Sequence, residues 1–132
     1  KLSISKFDTH ATQEPLHSEL LADMARSVAA FAKEMERQGL WNDVLVMTFS
    51  EFGRRVAENS SGGTDHGTAA PQFLFGGLVK GGFYGAHPPL DDLEGGNLKH
   101  RLHFRSFYAT VAEEWWGLRP DFILEKPLSI IT

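Results

Sequence analysis

Three short segments of the chain hold imidazoles and carboxylates close together: Asp8-Thr9-His10, Ser50-Glu51 and Asp65-His66. Imidazole nitrogen and carboxylate oxygen are donors that borderline divalent ions such as zinc or manganese accept, so two histidines with two or three acidic groups suffice for one ion, or for two. The chain has no cysteine. Thiolate zinc sites, disulfides and cysteine nucleophiles are therefore excluded, and these segments are its only strong metal-ligand chemistry. Arg54 and Arg55 follow directly after Glu51 and could hold an anionic group bidentately, although arginines in such places are also found solvated or ion-paired. Glu51 has three possible roles: metal ligand, general base, or ion-pair partner of one of those arginines. Each cluster alone also has a plain structural reading. Thr64 and Asp65 are good capping residues, His66 can be a half-buried histidine with satisfied hydrogen bonds, and Asp-x-His or Asp-His pairs recur by chance.

Elements must bring such segments together. Residues 2 to 8 alternate as a strand does. From His17 to Gln38, Leu20, Leu21, Met24, Val28, Phe31 and Met35 recur at helical spacing, and Gly39 suits the C-terminal cap. Asp43 to Phe49 is a continuous apolar run of the kind buried on both faces of a parallel sheet. Strand, helix, strand predicts a βαβ crossover. Asn59-Ser60-Ser61-Gly62-Gly63 is too polar and glycine-rich for an element interior, Gln72 to Phe75 reads as a third strand after Pro71, and residues 88 to 99 read as surface loop. Phe107, Tyr108, Val111 and Trp115 set a helix over residues 104 to 116, stopped by Gly117 and Pro120, with the aromatic stripe as core. The expected fold class is α/β, a mostly parallel sheet flanked by helices. In such sheets ligands bind where the strands end, and each of the three clusters follows a predicted strand, so the clusters could converge there.

Composition narrows the function further. The 132 residues are 42% hydrophobic with a formal charge of −4, which suits a single small globular domain or part of one. Without a basic footprint the chain lacks the electrostatic term that dominates nucleic-acid binding. No apolar run approaches the roughly 18 to 20 residues that span a bilayer. His17, His87, His100 and His103 read as surface residues. The opening residues Lys1 to Phe7 carry neither a start methionine nor a signal-peptide pattern, so the chain is expected to begin inside a longer protein.

In order, Phe7-Asp8-Thr9-His10 with Gln13, then Thr48-Phe49-Ser50-Glu51-Phe52-Gly53-Arg54-Arg55, then Gly63-Thr64-Asp65-His66-Gly67-Thr68-Ala69-Ala70-Pro71, then Phe104-Arg105-Ser106 with Tyr108-Ala109-Thr110 resemble the successive motifs of domain-of-unknown-function family 1501 (DUF1501). The resemblance covers nearly the whole chain, and four motifs in order are more specific than any one. It implies the alkaline-phosphatase, sulfatase and phosphoglycerate-mutase superfamily, whose members hold two divalent ions at the edge of a central sheet. Residues 1 to 132 would then be the C-terminal part of one alkaline-phosphatase-like α/β domain, with the nucleophile and a further Asp ligand in an N-terminal remainder. By the same resemblance Asp8, His10 and His66 would hold one ion, with Asp65 a ligand or a group that orients one. Glu51 would be a ligand of a second ion or a catalytic base, and Arg54 an anion contact. Phe52 stands where relatives carry a ligating His and cannot ligate, and His103 stands where an Asp is expected. The implied activity is metal-dependent hydrolysis of phosphate or sulfate esters, on an anionic small-molecule ester or a modified polysaccharide, in a periplasmic or secreted protein. The alternative is a non-catalytic binding or scaffold module on the same fold.

Overall fold

The computed structural model describes all 132 residues. Helical periodicity is realised in α1, Gln13–Arg37, which begins about one turn before the expected start at His17. A helix start leaves backbone N–H groups without intrahelical acceptors, and here a distant turn supplies them: Thr12 N–H donates to Ser61 O at 3.0 Å and Gln13 N–H to Gly62 O at 2.8 Å. The C-terminus closes as expected on Gly39, whose N–H donates to Glu36 O at 3.0 Å while Leu40 N–H donates to Met35 O at 2.8 Å, the paired bonds of a Schellman motif. Leu20 is the one buried residue of α1.

Arg37 and Gln38 donate to the Glu34 carboxylate in the last turn of α1 at 2.6–2.9 Å. Those bonds, Arg37 first, hold Glu34 down to about 2 from an ordinary 4.5. A folded value below the unfolded one stabilises fully above the unfolded value and is lost as pH falls through the folded one. A carbon-13 NMR titration of Glu34 is therefore expected to stay flat from neutral pH to below 4 and to report protonation only near 2, together with fraying of the last helical turn. A midpoint at the ordinary value would show that these bonds do not persist in solution.

The predicted strands are shorter than the apolar runs. Of residues 43 to 49 only β1, Val46–Met47, pairs, and it does so with β4, Leu74–Phe75, in antiparallel register Val46↔Phe75 and Met47↔Leu74. Residues 2 to 8 form no strand, and Leu2 is 98% exposed. The βαβ crossover is accordingly not closed within the chain, whose three sheets are two-stranded and antiparallel.

Two hairpins form, one around the expected 59–63 loop and one inside an expected loop. β2, Gly53–Glu58, pairs with β3, Thr64–Gly67, around the 59–63 turn. β5, Leu93–Glu94, pairs with β6, Asn97–Leu98, inside the stretch read as surface loop. The two residues between β5 and β6, Gly95 (φ 57) and Gly96 (φ 82), supply the positive φ pair that a tight hairpin turn requires.

α2, Phe104–Thr110, opens on His103, whose ring accepts from Arg105 N–H at 3.3 Å, and runs on as a π-helical turn, Val111–Trp115. The core lies here, but it is built from small residues rather than the expected aromatic stripe. Ala109, Thr110, Val111 and Ala112 are buried together with Ile130 and Ile131, while Trp116 is 65% exposed. Glu114 fastens the C-terminal segment to this helix by accepting from Ile130 N–H at 3.0 Å and Ile131 N–H at 2.8 Å.

No helix is long and apolar enough to cross a membrane. Only ten residues are buried and the surface measures 9298 Å², whereas a compact monomer of 14.7 kDa exposes roughly 6,900 Å². The most exposed large apolar side chains are Phe83, Leu2, Leu124 and Phe122, at 81–105%.

Candidate metal centre

Segment 7–13 belongs to no sheet, yet it is strapped along the β2–β3 hairpin by side chains that face it. Arg54 and His66 are cross-strand partners. The Arg54 guanidinium reaches past His66 and donates from Nη1 to Thr64 O at 2.6 Å and from Nη2 to Phe7 O at 2.7 Å, with Asp8 Oδ1 at 3.4 Å. It thereby pins the backbone that carries Asp8.

Asn59 does the same for His10. Its Oδ1 accepts from Ser61 N–H at 2.9 Å and Gly63 N–H at 3.1 Å, closing the turn, and its Nδ2 donates to His10 O at 3.0 Å. Thr64 Oγ1 donates to Gln13 Oε1 at 2.9 Å, tying the start of α1 to β3. Lys6 (φ 75) and Thr12 (φ 46) bracket the strap with left-handed backbone, a conformation that side chains other than glycine adopt only when surrounding structure imposes it.

Asn59 was not among the residues singled out by sequence. The signal was its place at the head of Asn-Ser-Ser-Gly-Gly, where an Asn side chain can close a turn on its own backbone. Asn59→Ala is expected to lower stability by about 1–2 kcal/mol, since two backbone donors of the turn lose their acceptor. A urea denaturation curve measures this; a midpoint unchanged from that of the unaltered chain would contradict it.

The strap brings three donors to one point. His10 Nε2 stands 2.9 Å from Asp8 Oδ1, His66 Nε2 2.8 Å from the same oxygen, and the two Nε2 atoms 3.1 Å from each other. Asp8, His10 and His66 are each about half exposed, with side-chain exposures of 59%, 48% and 46%, so a ligand can enter without displacing the fold. The Asp8 carboxyl is held below the usual carboxylate range, chiefly by the hydrogen bond from His66; desolvation opposes this, and the charges of His10, His66 and Arg54 add to it.

Protons alone cannot satisfy all three edges of this triangle. If both Nε2 atoms carry hydrogens aimed at Asp8 Oδ1, the contact between them sets donor against donor. If one gives up its hydrogen to accept from the other, its own edge to Asp8 sets lone pair against lone pair. A cation at the centre meets all three lone pairs at once. Donors at ~2.0–2.1 Å from a tetrahedral zinc ion stand roughly 3.3 Å apart, so the triangle needs to open by only a few tenths of an ångström.

The other expected site residues lie outside the triangle. Asp65 Oδ1 is 3.9 Å from His10 Nδ1, on the ring nitrogen that does not face Asp8, and accepts from Asn59 Nδ2 at 3.4 Å; it lies beside His10 without a hydrogen bond to it. Glu51 is exposed and stands apart from the donors that converge. Arg54 borders the cluster, but its Nη donors are directed at Thr64 O, Phe7 O and Asp8, so in this arrangement it positions Asp8. Phe52, noted in the sequence as unable to ligate, lies flat against the His66 ring at 3.8 Å between centroids.

A family model described as "Protein of unknown function (DUF1501)" matches residues 1–117. No curated protein and no solved structure matches the chain.

Proposed function

The chain belongs to the DUF1501 family, and on that footing we propose that Asp8, His10 and His66 hold one divalent ion, zinc or manganese, in a metal-dependent hydrolase of phosphate or sulfate esters. The observation that carries this reading is the triangle of Asp8 Oδ1 and the two Nε2 atoms, with edges of 2.8 to 3.1 Å that a cation satisfies and protons do not. A divalent ion held there supplies positive charge and Lewis acidity toward a transferring oxyanion. The residues of the chain do the holding. Asp8 gives the anionic oxygen, His10 and His66 give neutral nitrogens, Arg54 keeps Asp8 in place, Asn59 holds the backbone of His10, and Asp65 lies beside its ring.

The order of motifs along the chain also supports kinship with the alkaline-phosphatase-like superfamily. We extend that to its architecture: the strand edges and apolar surface left uncovered here would meet further polypeptide, which would complete an α/β domain and bring the nucleophile. Glu51, exposed and unengaged, is available in that setting as a ligand of a second ion or as a base.

A second reading is favoured by one observation. The Arg54 donors that would grip a substrate oxyanion are directed at protein oxygens, as they would be in a module where the ion serves structure or binding. An assay separates the two. The full-length protein, supplied with Zn²⁺ or Mn²⁺, is offered an aryl phosphate and an aryl sulfate. The hydrolase reading expects metal-dependent release of phenol that a chelator stops and His66→Ala abolishes. Release no greater than that of the variant, from a protein that nonetheless binds the ion, would replace it with the binding module.

A further inference from the structure

We infer that Phe52 is a positioning residue for His66, and that a stacked ring in place of a hydrogen bond fixes the direction of the His66 Nε2 lone pair. The two rings lie 3.8 Å apart between centroids with planes 9° from parallel. Strand register explains how they meet. Gly53 pairs with Gly67 and Arg54 with His66, so Phe52, one residue before β2, falls on the same face as Arg54 and diagonal to His66, a distance that aromatic side chains span. Its backbone is held in turn, because Phe52 O accepts from Ser50 Oγ at 2.9 Å, and the Arg54 guanidinium carbon lies 5.1 Å from the Phe52 ring centroid on the same face.

The contrast between the two histidines makes the stack significant. A histidine that binds an ion through one nitrogen is normally oriented by a hydrogen bond from the other to a carboxylate, a carbonyl or water. His10 has a carboxylate on that side, Asp65 Oδ1, 3.9 Å from its Nδ1, which is a charge partner beyond hydrogen-bond length. His66 makes its contacts with Asp8 and His10 through Nε2 alone, and no protein hydrogen bond to Nδ1 sets the rotation of its ring. The face of Phe52 blocks that rotation on the side it covers, and the His10 ring stands close by, at 4.8 Å between centroids and 38°. The flat face of an aromatic ring matches the flat face of the imidazole, so an aliphatic side chain of similar volume fills the space without holding the plane.

This inference rests on the reading of Asp8, His10 and His66 as donors to one ion, and the experiment separates the two. Zn²⁺ affinity is measured for the unaltered full-length protein, Phe52→Leu and Phe52→Tyr by competition with a chromophoric chelator, alongside the proton NMR resonances of the His66 ring. Phe52→Leu is expected to weaken Zn²⁺ binding about 3- to 10-fold and to move the His66 ring resonances out of the shielding of the stacked ring, while Phe52→Tyr restores both. If far-ultraviolet circular dichroism shows that Phe52→Leu does not fold, Phe52→Met takes its place with the same expectation. Zn²⁺ affinity unchanged in the aliphatic variant, or lowered equally in Phe52→Tyr, overturns the positioning role and leaves the metal reading standing. Absence of saturable Zn²⁺ binding by the unaltered protein overturns both.

Discussion

His66→Ala and His10→Ala are each expected to lower Zn²⁺ affinity by 100-fold or more. A structural zinc ion is worth roughly 10–16 kcal/mol over four ligands, so one ligand accounts for about 3 kcal/mol, or two decades in affinity. Each histidine places its Nε2 within 3.1 Å of both other donors. Asp65→Ala supplies the contrast. Its carboxylate stands 3.9 Å from the far nitrogen of His10, so its loss is expected to weaken binding only about 10-fold, the lower end of what a group next to a ligand contributes. Competition titration against a chromophoric chelator resolves the difference. A loss in Asp65→Ala equal to that in the histidine variants would make Asp65 a ligand, and unchanged affinity in either histidine variant would remove that histidine from the centre.

The second large effect comes from a residue with no side chain. Gly63 lies where the 59–63 turn touches the strap, and a Cβ there would sit 2.3 Å from the His10 carbonyl carbon and 2.5 Å from its oxygen. These are backbone atoms, which cannot swing aside as a side chain would. Either the turn or the strap must move. Gly63→Ala is expected to cost at least the ~1–3 kcal/mol of an overpacked site and to weaken Zn²⁺ binding 10-fold or more, because the displaced segment carries two of the three donors. Gly62→Ala bears the strain of a positive φ, 69°, but its Cβ meets nothing closer than 3.7 Å, so it is expected to lower stability while leaving affinity within about 3-fold. Equal effects of the two substitutions on affinity would contradict the strap as the device that brings Asp8 and His10 to His66.

The convergence of Asp8, His10 and His66 was legible in the sequence as an expectation, although the supports are not those the strand pattern suggested. Alternation at residues 2 to 8 reads as a strand because period 2 is the only signal there. The segment pairs with no strand of the chain and is instead tied by Arg54 and Asn59, long-range contacts that leave no periodicity. β3 has no strand pattern to read, because Thr64-Asp65-His66-Gly67 carries no apolar residue, and its stability comes from pairing with β2. The helices were the clearest elements, since caps and the 3.6-residue period are local. Even so, α1 starts earlier than its apolar stripe because Ser61 O and Gly62 O accept its first N–H groups, which no local pattern could reveal. Asp65 and Arg54 show the limit most plainly: residue type marked both as site residues, and only distance shows one behind His10 and the other clamped on backbone carbonyls.

The first coordination sphere of a bound ion tests the Asp8, His10 and His66 centre most directly. X-ray absorption at the zinc edge of the Zn²⁺-loaded full-length protein is expected to show nitrogen and oxygen scatterers at ~2.0 Å with the outer-sphere pattern of two imidazoles, reduced to one imidazole in His66→Ala. A sphere without imidazole scattering, or one unaltered by that substitution, would contradict it.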